Sequence, residues 1–167
     1  MHRLILFRHG KTERHAPSGE DFDRRLTARG AEDSRLMGKV LANAGFNPDL
    51  VLVSSAVRAQ QTWEAVKAAF PGAASEVRPT LYNSDARDLM RAAKAAAADT
   101  VMIVAHNPGL QELTEGLAAE GENAAMKAKL SEGFPTAAIS VFDIKDGGAT
   151  ALGLFFPRDH GGGAAHD

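Results

Sequence analysis

Residues 3–13, RLILFRHGKTE, run four apolar side chains straight into an arginine, a histidine, a glycine and a lysine. A short apolar run between polar residues reads as a buried strand, because it is too brief for a core helix. That strand spans Arg3 to Arg8. Its far end raises the functional question, since Arg8, His9 and Lys11 gather cationic or protonatable groups where the chain leaves the core. Taken alone, Arg8 is an ordinary start to a solvated loop and His9 an ordinary turn residue.

Reading outward, polar residues 11–25 contain Pro17 and Gly19 and form a loop. Thr27 is placed to cap a helix through Ala44, with Leu36, Met37, Val40 and Leu41 as its apolar stripe and Gly45 as its stop. DLVLVS (49–54) is a second strand. Ser54 or Ser55 is expected to cap a helix that runs to about Phe70, where Pro71-Gly72 ends it. SEVRPTLY (75–82) is a weaker strand interrupted by Pro79, and DARDLMRAAKAAAA (85–98) is a helix by its alanine content. TVMIVAH (100–106) is the clearest strand, and Asn107 with Pro108 is placed to start another helix. Beyond about Gly121 the helical pattern stops, and AAISVFDI and TALGLFF around Asp146-Gly147-Gly148 read as a hairpin. Strands alternating with helices predict an α/β three-layer sandwich: a mostly parallel central sheet flanked by helices and completed by the C-terminal β-hairpin. One domain over 1–158 is expected, with 159–167 as a flexible tail.

The totals exclude several classes. A net charge of −2 gives no basic field for nucleic acid or an anionic membrane surface. The absence of cysteine removes disulfides, thiol nucleophiles and thiolate zinc sites. LILF is too short for a signal core or a membrane span, so a cytoplasmic location is expected. Gly10-Lys11-Thr12 ends like a phosphate-binding P-loop, but that motif needs a glycine where this chain has Ile5. The histidines lack metal-ligand spacing, so no metal or other cofactor is expected. His2, His15, His160 and His166 read as surface residues, and Trp63, on the helix face of Val66 and Phe70, as core.

In such sheets, ligands bind beyond the carboxyl ends of the strands. Arg8-His9, Arg58 and His106 each follow one of the three apolar strands, and Arg58 falls in a first helical turn, where free N–H groups favour anions. Two arginines and two histidines at one sheet edge point to an anion site.

These residues resemble a known family. FRHGKTE, DRRLTARG, SSAVRAQQT and IVAHNPGL, in that order, resemble the signature segments of the histidine phosphatase superfamily, the phosphoglycerate-mutase-like fold. The short chain and SRLMGKVL are most similar to SixA-type phosphohistidine phosphatases. The resemblance implies that His9 is the nucleophile, that Arg8, Arg58 and His106 bind the phosphate, and that no metal takes part. It implies as substrate a phosphohistidine-bearing protein, such as a phosphotransfer domain, or a small phosphorylated metabolite.

The match departs in one place. Most members carry a glutamate after the third strand as general acid, and here RPTLYNSDARD has none. Asp23 is the candidate proton donor. Asp85, which also suits a helix cap, and Tyr82 are alternatives. An imidazole leaving group has a pKa of about 6.5 and depends little on such an acid, so a weak acid site favours P–N over P–O hydrolysis. The alternatives are a metabolite phosphomonoesterase and a non-catalytic phosphate-binding module.

Overall fold

The computed structural model describes residues 1–163. Its strands are β1 (Arg3–Arg8), β2 (Leu50–Ser54), β3 (Ala74–Arg78), β4 (Thr100–Ala105), β5 (Ile139–Lys145) and β6 (Gly148–Phe155). They form one sheet in the order β3-β2-β4-β1-β5-β6. The pairings β1–β4, β2–β4 and β2–β3 are parallel, and the hairpin β5–β6 joins antiparallel along β1. This is the expected α/β architecture.

β1 shows why a continuous apolar run makes the centre of such a sheet. Successive side chains point to opposite faces, and both faces are covered. Ile5 and Phe7 pack with Met37 and Leu41 of α1 (Ala28–Asn43) and with Trp63 and Val66 of α2 (Val57–Val66). Leu4 and Leu6 pack on the other side with Leu89 of α3 (Ala86–Ala95), Leu110 and Leu113 of α4 (Gly109–Glu120), and Met126 and Leu130 of α5 (Ala124–Leu130).

Several boundaries differ from the sequence reading. The residue before α2 is Ala56, with no side-chain cap, and the Ser54 hydroxyl, two residues earlier, lies 2.7 Å from His106 Nε2. α2 ends at Val66 and passes into a 3₁₀ turn, Lys67–Ala69, before Phe70. α4 begins at Gly109 after Pro108, while Asn107 Oδ1 accepts from Gln111 N–H. α5 was not expected; its signal was Asn123, whose side chain caps Met126 N–H, followed by Met126 and Leu130 four residues apart on the buried face. The chain also stays docked beyond 158. Gly163 N–H donates to both carboxylate oxygens of Asp33 at 3.2 Å, and Arg29 donates to the Gly163 carbonyl, so residues 159–163 are tied to α1 rather than leaving as a tail. His166 and the rest of 164–167 lie outside the described residues.

Two glycines let the loop after β1 approach α1. A Cβ on Gly10 would lie 2.4 Å from the Gly30 carbonyl oxygen, and one on Gly30 would lie 2.1 Å from the Lys11 carbonyl oxygen. Thr27 caps α1 by accepting from Gly30 N–H at 2.9 Å, and its own N–H donates to the Lys11 carbonyl. Backbone oxygens cannot swing aside as side chains do. Gly30→Ala is therefore expected to destabilise the fold by about 2–3 kcal/mol, or roughly 5–10 °C in melting temperature. A thermal melt of the variant checks it, and an unchanged midpoint would show that the loop relaxes freely.

Candidate active site

Because β4 lies between β1 and β2, the carboxyl ends of these three strands are neighbours. Arg8 ends β1, His9 follows it, Arg58 stands in the first turn of α2 after β2, and His106 follows β4. The fold brings all four together. His9 and His106 are buried with ring centroids 5.2 Å apart, and the charges of both Arg8 and Arg58 act on His9.

His9 Nδ1 lies 2.7 Å from the Gly10 carbonyl oxygen. A carbonyl only accepts, so Nδ1 carries the proton and Nε2 keeps its lone pair. Gly10 N–H donates to Thr62 Oγ1 at 3.0 Å, and the Thr62 hydroxyl donates to the Arg58 carbonyl at 2.8 Å. One threonine thus fixes the histidine loop against the helix that carries the arginine. That is the physical reason for a threonine four residues after Arg58.

Arg8 donates through Nη1 to the Phe134 carbonyl at 3.0 Å, and Asn107 Nδ2 donates to the same oxygen at 2.9 Å. His106 Nε2 lies 2.7 Å from Ser54 Oγ. Two buried polar atoms have no hydrogen-bond partner among the described residues, Arg8 Nε and His106 Nδ1. Leaving a buried polar atom unpaired costs about 1–3 kcal/mol, so two in one cluster mark a place built for a polar ligand.

Burial pushes the His9 pKa well below its usual 6.5, with the charges of Arg8, His106 and Arg58 adding and the Gly10 carbonyl opposing. His106 is lowered to about 4, first by burial and then by Arg58. Both imidazoles are neutral at pH 7. The sign follows. With folded values below the unfolded 6.5, the unfolded chain binds more protons, so stability present above pH 6.5 is lost as pH falls toward 4. The acid limb of kcat/KM, which reports the free enzyme, is expected to lie below pH 6.5. A limb at or above that value would mean that the imidazoles are not held neutral.

The acid candidates divide. Asp23 accepts from Ser18 Oγ at 2.8 Å. Asp85 caps α3 by accepting from Asp88 N–H at 2.8 Å, and that hydrogen bond holds it below the usual carboxylate range. The carboxylate that meets the cluster is Asp21, two residues before the expected one. Arg58 donates through Nη1 to the Asp21 carbonyl at 2.9 Å and through Nη2 to its Oδ2 at 3.1 Å. Tyr82 Oη donates to the same Oδ2 at 2.6 Å, and Arg24 Nη1 to Oδ1 at 3.0 Å. Tyr82 also stands 5.8 Å from the His106 ring and 5.8 Å from the Arg58 guanidinium, and Phe22 meets it edge-on at 5.1 Å. The 3₁₀ turn Asp21–Asp23 folds this carboxylate onto Arg58, a placement set by tertiary contact that sequence spacing does not show.

A neutral imidazole whose Nε2 keeps its lone pair, beside two guanidiniums and a second imidazole at a strand edge, can bind an anion and present a nucleophile to it. Residues 4–89 match the histidine phosphatase superfamily (branch 1), and the chain belongs to that family. An uncharacterized protein of Mycobacterium tuberculosis is 31% identical over 162 residues, covering 90% of this chain and 99% of that one. A solved structure from Agrobacterium tumefaciens, provisionally assigned as the phosphohistidine phosphatase SixA, is 29% identical, with a TM-score of 0.83 over 93% of this chain and 98% of that one. The protein histidine phosphatase SixA complexed with tungstate is 26% identical, with a TM-score of 0.75 over 94% and 98%.

Proposed function

We propose that this protein hydrolyses phosphohistidine carried by another protein, through a phosphohistidine intermediate on its own His9. His9 Nε2 attacks phosphorus in line while the substrate P–N bond breaks and its electron pair returns to the leaving imidazole. Water then attacks the phosphorus on His9. The second P–N bond breaks, its electron pair goes back to Nε2, and the proton of the water leaves with inorganic phosphate or to solvent.

Arg8 and Arg58 hold the phosphoryl oxygens with forked cationic donors, which supply the charge such transfer needs. Ser54 Oγ already accepts from Ala56 N–H at 3.4 Å, so its proton is available to His106 Nε2. His106 then carries its own proton on Nδ1, the atom with no partner among the described residues, and donates a hydrogen bond from it to the transferring group.

The state of Asp21 carries the choice of substrate. It is the carboxylate that touches the cluster, and the Tyr82 hydroxyl, then Arg24 and Arg58, hold it well below the usual carboxylate range. An ionised carboxylate cannot protonate an alkoxide. An imidazole leaving group needs no such donor. The stretch between Arg58 and His106 adds support, because it is used up by the rest of α2, β3, α3 and β4. Beyond these the stretch holds only the short 3₁₀ turns Lys67–Ala69 and Pro79–Leu81, with no inserted α-helix or strand, which suits a substrate displayed on a protein surface.

The test is a comparison of kcat/KM for a phosphohistidine-bearing protein against a panel of alkyl phosphates. Because a positioned acid is worth about 10²–10⁴-fold, the phosphohistidine protein is expected to lead by about 10²-fold or more. An alkyl phosphate turned over equally well would make the protein a metabolite phosphomonoesterase. No turnover of any substrate would make it a binding module.

A further inference from the structure

An ionised aspartate at the mouth of an anion site is unexpected, since it repels the phosphoryl group that the two arginines attract. Its hydrogen bonds suggest what it accomplishes. A carboxylate offers about four lone-pair positions. Oδ2 accepts from Tyr82 and Arg58, and Oδ1 accepts from Arg24, which leaves one position on Oδ1. The side chain is 53% exposed, so the carboxylate is within reach of an incoming group. Asp21 is held by Arg58 and by Tyr82, whose ring stands 5.8 Å from that of His106. The carboxylate thus sits at the Arg58 and Tyr82 side of the cluster, beside His106. The aromatic rings of Tyr82 and Phe22 stand beside it, Phe22 being 36% exposed.

We propose that Asp21, with Tyr82 and Phe22 beside it, is the receptor for the leaving imidazole. The carboxylate accepts the N–H of the substrate ring and keeps that ring in its protonated, cationic form. This rests on the phosphohistidine reading above and names the residue that selects for it.

The chemistry is then matched on both sides of phosphorus. As His9 Nε2 bonds to phosphorus its ring becomes cationic, and its Nδ1–H is held by the Gly10 carbonyl at 2.7 Å. As the substrate P–N bond breaks, its electron pair enters a ring that was cationic, and a neutral imidazole departs with its N–H still on Asp21. One imidazole gains the charge that the other loses, and each has an acceptor for its N–H. No proton crosses the site in this step. The same carboxylate disfavours leaving groups that bear their own negative charge near the phosphate, such as carboxylated metabolites.

Wild type and Asp21→Asn are compared on phosphoimidazole, on N-phosphoryl-N′-methylimidazolium, which keeps the cation without the N–H, and on p-nitrophenyl phosphate. Asn is isosteric and the site is exposed, so folding is retained. The expected loss in kcat/KM is on the order of 10- to 100-fold for phosphoimidazole, smaller for the methylated ring, and smallest for p-nitrophenyl phosphate, where only the support to Arg58 is lost. The basic limb of kcat on phosphoimidazole should also move down by about one pH unit, since a nearby carboxylate raises the pKa of a bound imidazolium. Equal losses on all three substrates, with an unmoved pH limb, would overturn the proposal and leave Asp21 as a support for Arg58. Phosphohistidine hydrolysis by wild type would still stand in that case. Failure of wild type on phosphoimidazole while it hydrolyses p-nitrophenyl phosphate would overturn both.

Discussion

His9→Ala is expected to abolish turnover, with a loss on the order of 10⁴-fold or more, while the protein stays folded. The size of the effect follows from the mechanism. In the proposed mechanism the arginines and His106 stabilise charge on a phosphoryl group in transit, but without Nε2 there is no acceptor to which it can pass. What remains is hydrolysis by water at a site organised for a nitrogen nucleophile. Folding should be retained, because the variant removes a buried imidazole that burial and two arginines already hold neutral. Sites of this kind commonly trade stability for activity, so a slightly raised melting temperature would fit as well. Circular dichroism and a thermal melt, run with the activity assay, separate loss of chemistry from loss of fold. Turnover within tenfold of wild type by a folded variant would remove His9 from the mechanism.

Arg58 carries the second large effect. Arg58→Ala is expected to lower kcat/KM by about 10²–10³-fold, the usual cost of removing a donor aimed at developing charge. Arg58→Lys keeps the charge and loses the fork, so it should be impaired by less than the alanine variant yet clearly below wild type. The structure adds a reason for the lysine deficit. Arg58 spends Nη1 and Nη2 on the Asp21 carbonyl and carboxylate, and only a guanidinium can hold that loop and still turn donors toward a phosphate. A lysine variant equal to wild type in kcat/KM would show that charge alone suffices.

Much of this was legible in the sequence for a definable reason. β1, β2 and β4 carry unbroken apolar runs through their middles because both faces are covered, and such runs are visible without tertiary information. The polar residues that end them, Arg8-His9 and His106, then fall at one sheet edge by topology alone. Thr27 could be read as a cap because capping is local, and the structure confirms it through Gly30 N–H. What could not be read depended on contacts distant in the chain. Asp21 and Asp23 both belong to the polar loop 11–25, and only the fold decides that Asp21 reaches Arg58 and Tyr82 while Asp23 turns to Ser18. Ser54 looked like a helix cap because serine often is one. Its partner proved to be His106, fifty-two positions away. The Phe134 carbonyl that anchors Arg8 is a backbone atom, and nothing in residue identity marks it.

The account stands on a covalent phosphoryl group carried by His9 Nε2. The most direct measurement is to quench the wild-type enzyme during turnover of a labelled phosphohistidine protein and to map the label by peptide sequencing. The account predicts acid-labile, base-stable phosphate on the peptide containing His9, absent from His9→Ala. Label on a serine or a carboxylate, or single-turnover release of phosphate with no labelled enzyme at any time, would contradict it.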